Sequence, residues 1–325
     1  MDYVKLTTEN DTHNGYQYKE GLNCLDGEFN NEKICGSGGL YFCRKEDSYK
    51  WINYNDKVMY YIWDVELCED SKIVDMGDKL KTDKFILTNK REKWNDNEFC
   101  KLAVQQDGYT LQYVKPELMT DEICKLAVQQ NGYTLRYVKP ELMNEEICKL
   151  TVQQYGNALE YVKEQTYEIC KLAVQQDCYA LEFVKPEFMS YEICKLAVQK
   201  DGYTLEYVKE QTDEICKLAV KQDGFALEFV KPELMTDEIC KLAVQQDGFA
   251  LGFVKPELMT DEICKLAVKK NCYALQFIEE QTDEICKLAV QQNSYVLKYV
   301  KEQTDEICKL AVRRNGLHWN MYNLN

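Results

Sequence analysis

One cysteine returns at a fixed place in a short repeated block, and no other feature restricts the fold as much. Cys100, Cys124, Cys148, Cys170, Cys194, Cys216, Cys240, Cys264, Cys286 and Cys308 follow one another at 24, 24, 22, 24, 22, 24, 24, 22 and 22 residues. A block this short cannot bury an apolar face by itself, so the copies must stack on one another. The two lengths have a single source. Long units end in Lys-Pro-Glu-Leu/Phe-Met, as at Lys115–Met119, and short ones in Lys-Glu-Gln or Glu-Glu-Gln, as at Lys163–Gln165.

The unit Thr120–Met143 shows how each copy folds. Thr120 is a good N-cap, and Asp121 and Glu122 stand where the helix dipole favours negative charge. The equivalent positions, Asp96, Asn144, Thr166, Ser190, Thr212, Thr236, Thr260, Thr282 and Thr304, can all cap. Ile123, Cys124, Leu126, Ala127 and Val128 then give an apolar face at helical spacing. Asn131-Gly132 interrupts the helix, either through a left-handed backbone or by capping the next one. Gly holds this place in seven units, whereas Cys178, Cys272 and Ser294 replace it in three. A second short helix is expected, with Leu135 and Val138 inward. The fold class expected is mainly α: an α-helical hairpin solenoid of about ten 22–24-residue repeats over 96–325, behind a small α+β N-terminal domain over 1–95. The tail Leu317–Tyr322 breaks the pattern and reads as a C-terminal cap.

Residues 1–95 lack the repeat. Strand-like runs lie near Tyr3–Leu6, Tyr16–Tyr18, Leu40–Phe42, Val58–Leu67 and Phe85–Leu87, with a short helix at Asp47–Tyr54. Lys90–Lys93 is a charged stretch with no evident need for burial. It marks the expected seam.

Charge narrows the partners. Acidic residues outnumber basic ones 55 to 40, for a net charge of −15. There are 14 basic and 18 acidic residues up to residue 95, and 26 and 37 beyond it. Neither part is basic, which argues against nucleic acid or an anionic membrane as the partner. No apolar run approaches the roughly 18 residues of a membrane span. The first ten residues lack the pattern of a secretory signal, so the expected compartment is intracellular, with free thiols.

The repeat core Ile215–Leu227 resembles Ile-x-x-x-Ala-Val-x-x-Asn-Gly-x-Ala-Leu, the pattern of short helical-hairpin repeats classed as a domain of unknown function in giant-virus and Legionella-type proteins. His13–Asn23 together with Gly38–Phe42 resembles the leader domain of mimivirus-type ankyrin-repeat proteins. These resemblances imply a helical array behind a portable leader, with no assigned chemistry. A viral chain would work in the host cytoplasm or the virion.

Candidate chemistry is sparse. The ten repeat cysteines lie among Ile, Ala and Val and read as core, because a buried thiol behaves as a small hydrophobe. Cys178 and Cys272, in turns, are expected to be exposed. Cys24, Cys35, Cys43 and Cys68 lack the close pairs of a structural zinc site, so no metal and no cofactor is expected. Two aromatic series run through the units. Tyr113, Tyr137, Tyr161, Phe183, Tyr207, Phe229, Phe253, Phe277 and Tyr299 form the first; Tyr109, Tyr133, Tyr179, Tyr203, Phe225, Phe249, Tyr273 and Tyr295 form the second. Both suit packing between units. Tyr113, Tyr137, Tyr161, Tyr207 and Tyr299 are the candidate binding residues, since tyrosine suits a wet protein interface. Glu122 and Lys125, with their copies, are expected to pair within one helix.

The function expected is therefore non-enzymatic: a scaffold or adaptor that binds protein, of unspecified oligomeric state. The alternative is an ADP-ribosyltransferase-like or other nucleotide-dependent enzyme in residues 1–95, with His13, Tyr16, Tyr41 and Glu66 as its polar candidates. Convergence of those side chains on one pocket would favour it.

Overall fold

The computed structural model describes residues 2–35, 38–54 and 57–315, so the cap expected at Leu317–Tyr322 and His318 lie outside the described residues. The chain forms two compact units, Met1–Thr151 and Val152–Asn325.

The first unit opens with short strands: β1 (Tyr3–Thr7), β2 (Thr12–His13), β3 (Tyr16–Gln17), β4 (Gly21–Cys24), β5 (Leu40–Arg44), β6 (Asn53–Tyr54), β7 (Lys57–Val58), β8 (Tyr61–Glu66), β9 (Ile73–Asp75), β10 (Leu80–Thr82) and β11 (Lys84–Glu92). Seven of them make an antiparallel sheet in the order β4-β11-β8-β1-β5-β10-β9. The remaining four form two small hairpins. The helix expected at Asp47–Tyr54 is a 3₁₀ helix over Lys45–Trp51.

Side chains alternate across β1, and both faces of the sheet are covered. One face carries Leu40, Phe42, Trp63, Val65, Leu80 and Phe85, closed by Tyr18. The other carries Val4, Leu6, Cys43, Met59 and Ile62, and onto it pack Phe99 and Ala103 of the first repeat helix. The charged stretch before that helix is not idle. Arg91 contacts Asp64 and, through Nε at 2.6 Å, Asp96, whose other carboxylate oxygen accepts from Phe99 N and caps the helix. Lys93 is buried with Nζ on the Ile52 carbonyl.

The repeats supply α1 (Asn97–Gln106), α2 (Asp121–Gln130), α3 (Glu145–Gln154), α4 (Tyr167–Gln176), α5 (Tyr191–Lys200), α6 (Asp213–Gln222), α7 (Asp237–Gln246), α8 (Asp261–Lys270), α9 (Asp283–Gln292) and α10 (Asp305–Asn315). All ten expected caps form: Thr120 Oγ1 accepts from Ile123 N, and Asn144 Oδ1 from Ile147 N, with the same bond in every copy. In α7 the buried residues are Ile239, Cys240, Ala243 and Val244, a stripe at i, i+1, i+4 and i+5. Full burial of each Ile or Val contributes about 1.5–3 kcal/mol.

The expected second short helix is a 3₁₀ helix of six residues, such as Gly224–Phe229. The Asp or Asn before it is extended, and its carboxylate or amide oxygen caps the second residue: Asp223 Oδ1 accepts from Phe225 N. The cap reading of the interruption is the one realised where Asp or Asn holds that place, whereas Tyr155 makes no such bond, and none of the described repeat glycines has a positive φ. Gly is there for room. A Cβ on Gly224 would come within 2.6 Å of the Ala243 carbonyl oxygen of the following helix, and one on Gly202 within 2.5 Å of Ala219 O.

The two unit lengths use different joints. A long unit adds a 3₁₀ turn, as at Pro232–Leu234, where proline at the first position gives up an N–H that would lack a helical partner anyway. A short unit uses its glutamine. Gln211 Nε2 donates to Phe229 O at 2.7 Å and Gln211 Oε1 accepts from Lys231 N at 2.8 Å, both in the next unit. Gln165 and Gln281 make the same bridge.

Candidate functional site

The two aromatic series meet. Five rings of the second series pack edge-on against the first-series ring one unit later, among them Tyr203 on Phe229, Phe225 on Phe253 and Phe249 on Phe277, at centroid separations of 5.8–5.9 Å. Tyr179 and Tyr273 do the same with Tyr207 and Tyr299 at 6.3 Å. Trp94 stacks on Tyr113 at 5.4 Å. Such pairs contribute about 0.5–1.5 kcal/mol beyond their area. Of the candidate binding residues, Tyr113 is 56% exposed, while Tyr137, Tyr161, Tyr207 and Tyr299 are half-buried. Wetter rings belong mostly to the second series, Tyr109, Tyr133, Tyr179 and Tyr295, and to Tyr167 and Tyr191 on helices. Unit three interrupts the second series, because Asn157 replaces the ring and binds Asp177 Oδ2 at 2.7 Å.

Charges are organised along the same axis. The expected pairing of Glu and Lys inside one helix is replaced by pairing between units. Lys241 Nζ meets its own Asp237 at 2.9 Å and Glu262 of the next unit at 2.5 Å. Lys125, Lys217, Lys265 and Lys287 repeat the pattern. The reason is reach: one stacked helix lies beside the next, and Asp at i−4 already takes the intrahelical place. In α4 and α5 Tyr167 and Tyr191 replace that Asp, and Lys195 lies over the Tyr191 ring.

The repeat cysteines are buried from Cys100 through Cys286, and Cys308 is half-buried. Burial pushes the Cys124 and Cys240 thiols up to about 11. They are unreactive packing groups at neutral pH. Cys178 and Cys272, expected in solvent, are half-buried and buried, because the turn they occupy faces the next helix. Among the described residues no three His, Cys, Asp or Glu side chains cluster as a metal site. Nor is any described helix long and apolar enough to cross a membrane.

The sheet borders a small, partly open cavity that sequence reasoning missed in part. His13 and Tyr41 line it, as expected of two of the four leader candidates, together with Lys5, Cys43, Trp51 and Lys79. Tyr16 and Glu66 are not among its lining residues; Tyr16 donates to the Cys24 carbonyl at 3.0 Å, and Glu66 is exposed at the end of β8. Lys5 could have been suspected from the run Tyr-Val-Lys-Leu-Thr, which places a charge in the middle of a strand.

A family model described as a domain of unknown function (DUF4116) matches residues 120–166, 166–213, 212–259 and 260–304. The uncharacterized protein R869 of Acanthamoeba polyphaga mimivirus is 44% identical over 54 residues, 16% of this chain and 39% of that protein. The ankyrin repeat protein R868 of the same virus is 33% identical over 97 residues, 28% of this chain and 46% of that protein. The chain thus spans less than half the length of either relative. No solved structure matches it.

Proposed function

The chain belongs to the DUF4116 family, whose model covers residues 120–304, and from that membership we propose that it is a non-enzymatic scaffold or adaptor that binds another protein along its repeats. The observation that carries this reading is the recurrence of solvent-exposed tyrosines from unit to unit. Tyr137, Tyr161, Tyr207 and Tyr299 stay half-buried, and Tyr113 and Tyr295 are more than half exposed. Tyrosine is enriched at protein interfaces because it brings large apolar area and a hydroxyl at low conformational cost. Glu160 and Glu206 precede Tyr161 and Tyr207, while Arg136 and Lys298 lie over the Tyr137 and Tyr299 rings, and the acidic balance beyond residue 95 favours a basic or neutral partner over a nucleic acid. The mimivirus relatives favour action in the host cytoplasm or in the virion.

The test compares wild type with a variant carrying Tyr113→Ser, Tyr167→Ser and Tyr295→Ser. Proteins captured from amoebal cells by wild type are identified, and the binding constant of the strongest is measured with both proteins. Loss of at least tenfold in affinity, with an unchanged helical melt, supports the reading. Equal affinity for both, or capture that disappears on nuclease treatment, overturns it.

A further inference from the structure

The sheet buries an amine that is held by side chains and not by backbone carbonyls. Lys5 lies on β1, the middle strand of seven, with its side chain 1% exposed. Two other buried lysines rest on backbone carbonyls, Lys81 on Glu32 O at 2.7 Å and Lys93 on Ile52 O at 3.3 Å. Lys5 instead has its Nζ 2.5 Å from His13 Nδ1 and 4.5 Å above the Tyr18 ring. It borders a cavity of about 30 Å³, where one water needs ~10–15 Å³, so an occupant has only a few heavy atoms. The described lining has two lysines and a histidine and no carboxylate. Lys79 stands at the Trp51 and Tyr41 rings, with Nζ 4.7 and 5.5 Å from their centroids.

We propose that this cavity captures a small oxo acid reversibly, as an imine of Lys5. Lys79 would take the carboxylate and Lys5 the carbonyl carbon. The groups facing the amine are His13, Tyr18, Cys43 and Lys79. Burial chiefly brings its pKa down to about 7, against Cys43, which raises it, and with a smaller lowering from Lys79, so much of the amine is uncharged near neutrality. A desolvated, uncharged lysine is a nucleophile. Its nitrogen lone pair forms the C–N bond as the carbonyl π pair moves onto oxygen. His13 Nδ1 takes a proton from nitrogen and returns it to that oxygen. A second transfer along the same route expels the oxygen as water and leaves C=N. One amine and one carbonyl thus give one imine and one water, with no oxidant or reductant. The site lies in the sheet and is independent of partner binding by the repeats.

The experiment treats the full chain with glyoxylate and cyanoborohydride, which fixes the imine as a secondary amine, and maps the modified lysines by peptide mass spectrometry. The expected result at pH near 7 is that Lys5 is labelled at least tenfold faster than the exposed Lys19 and Lys301. Its labelling should rise through pH about 7, and acetaldehyde, which has no carboxylate, should react more slowly there. Lys5→Met should remove that label, and His13→Ala should slow it. The map of the wild type decides by itself if either variant fails to fold. Labelling of Lys5 no faster than of surface lysines overturns the site, and equal rates with acetaldehyde overturn the choice of an oxo acid.

Discussion

Changing Gln211 to alanine removes both arms of one bridge between consecutive repeats. The amide donates to Phe229 O at 2.7 Å and accepts from Lys231 N at 2.8 Å, in a part-buried corner. Each bond contributes roughly 0.5–1.5 kcal/mol net, and each backbone group left behind has lost its side-chain partner, so the expected loss is about 2 kcal/mol. Gln211→Glu is the sharper change. It keeps an acceptor for Lys231 N but sets a carboxylate oxygen against the Phe229 carbonyl. Its cost at neutral pH should match or exceed that of alanine. The facing carbonyl raises the pKa of that new carboxyl in the folded state, so stability should return as pH falls and the protonated group donates again. Amide hydrogen exchange gives the local readout. A loss of about 2 kcal/mol corresponds to roughly 30-fold faster exchange at Lys231. The comparison is Glu238→Ala, which breaks only an exposed pair with Lys217 and should cost less than about 1 kcal/mol. If Lys231 exchanges at the wild-type rate in Gln211→Ala, the bridge does not hold the joint and the reasoning fails.

Three further outcomes are expected from the packing. Gly224→Ala should lose about 1–3 kcal/mol in urea unfolding, because its Cβ would meet Ala243 O at 2.6 Å; a neutral result would show that the helices can part freely. Phe99→Ala should cost about 3–5 kcal/mol and disturb near-ultraviolet signals of the sheet as well as helicity, since Phe99 packs with Val4, Leu6 and Ile62; loss of helix signal alone would contradict that shared core. Alkali should unfold the repeats: the buried thiols titrate at about 11 against 9.0 unfolded, so their stabilisation is complete below about 9 and is lost as pH rises towards 11. A melting temperature flat over that window, in protein kept reduced, would count against it.

Much of the array was legible because its signals are local. A capping side chain three residues before Ile123, and apolar residues at helical spacing, specify a helix whatever lies beside it. The six-residue 3₁₀ helices were legible only as short helices, because sequence spacing over six residues does not distinguish 3₁₀ from α and either form places Leu135 and Val138 inward. Joint chemistry was invisible for another reason. Gln211 looks like a solvated residue until the next unit brings Phe229 O and Lys231 N to it, and Lys241 finds Glu262 only across a stacking distance. In the sheet, Gly21–Cys24, Ile73–Asp75 and Leu80–Thr82 are too short to show alternation, and they gain strand geometry from longer neighbours. The candidate tyrosines were found by their recurrence, but how exposed each one stays depends on the ring of the adjoining unit.

The joints also bear on how such a gene can change length. Many contacts that cross from one unit to the next recur between the same two positions: ring to ring, lysine to glutamate, and cap-following glycine to the next alanine carbonyl. Excising the span between one cysteine and the next therefore rejoins two halves that already match, and unequal crossing-over between copies yields a chain with working seams at every product length. The glutamine and proline joints travel with their own units, so a recombinant inherits each intact. For this protein the number of repeats is a quantity that selection can adjust in single steps, without a new contact having to be invented.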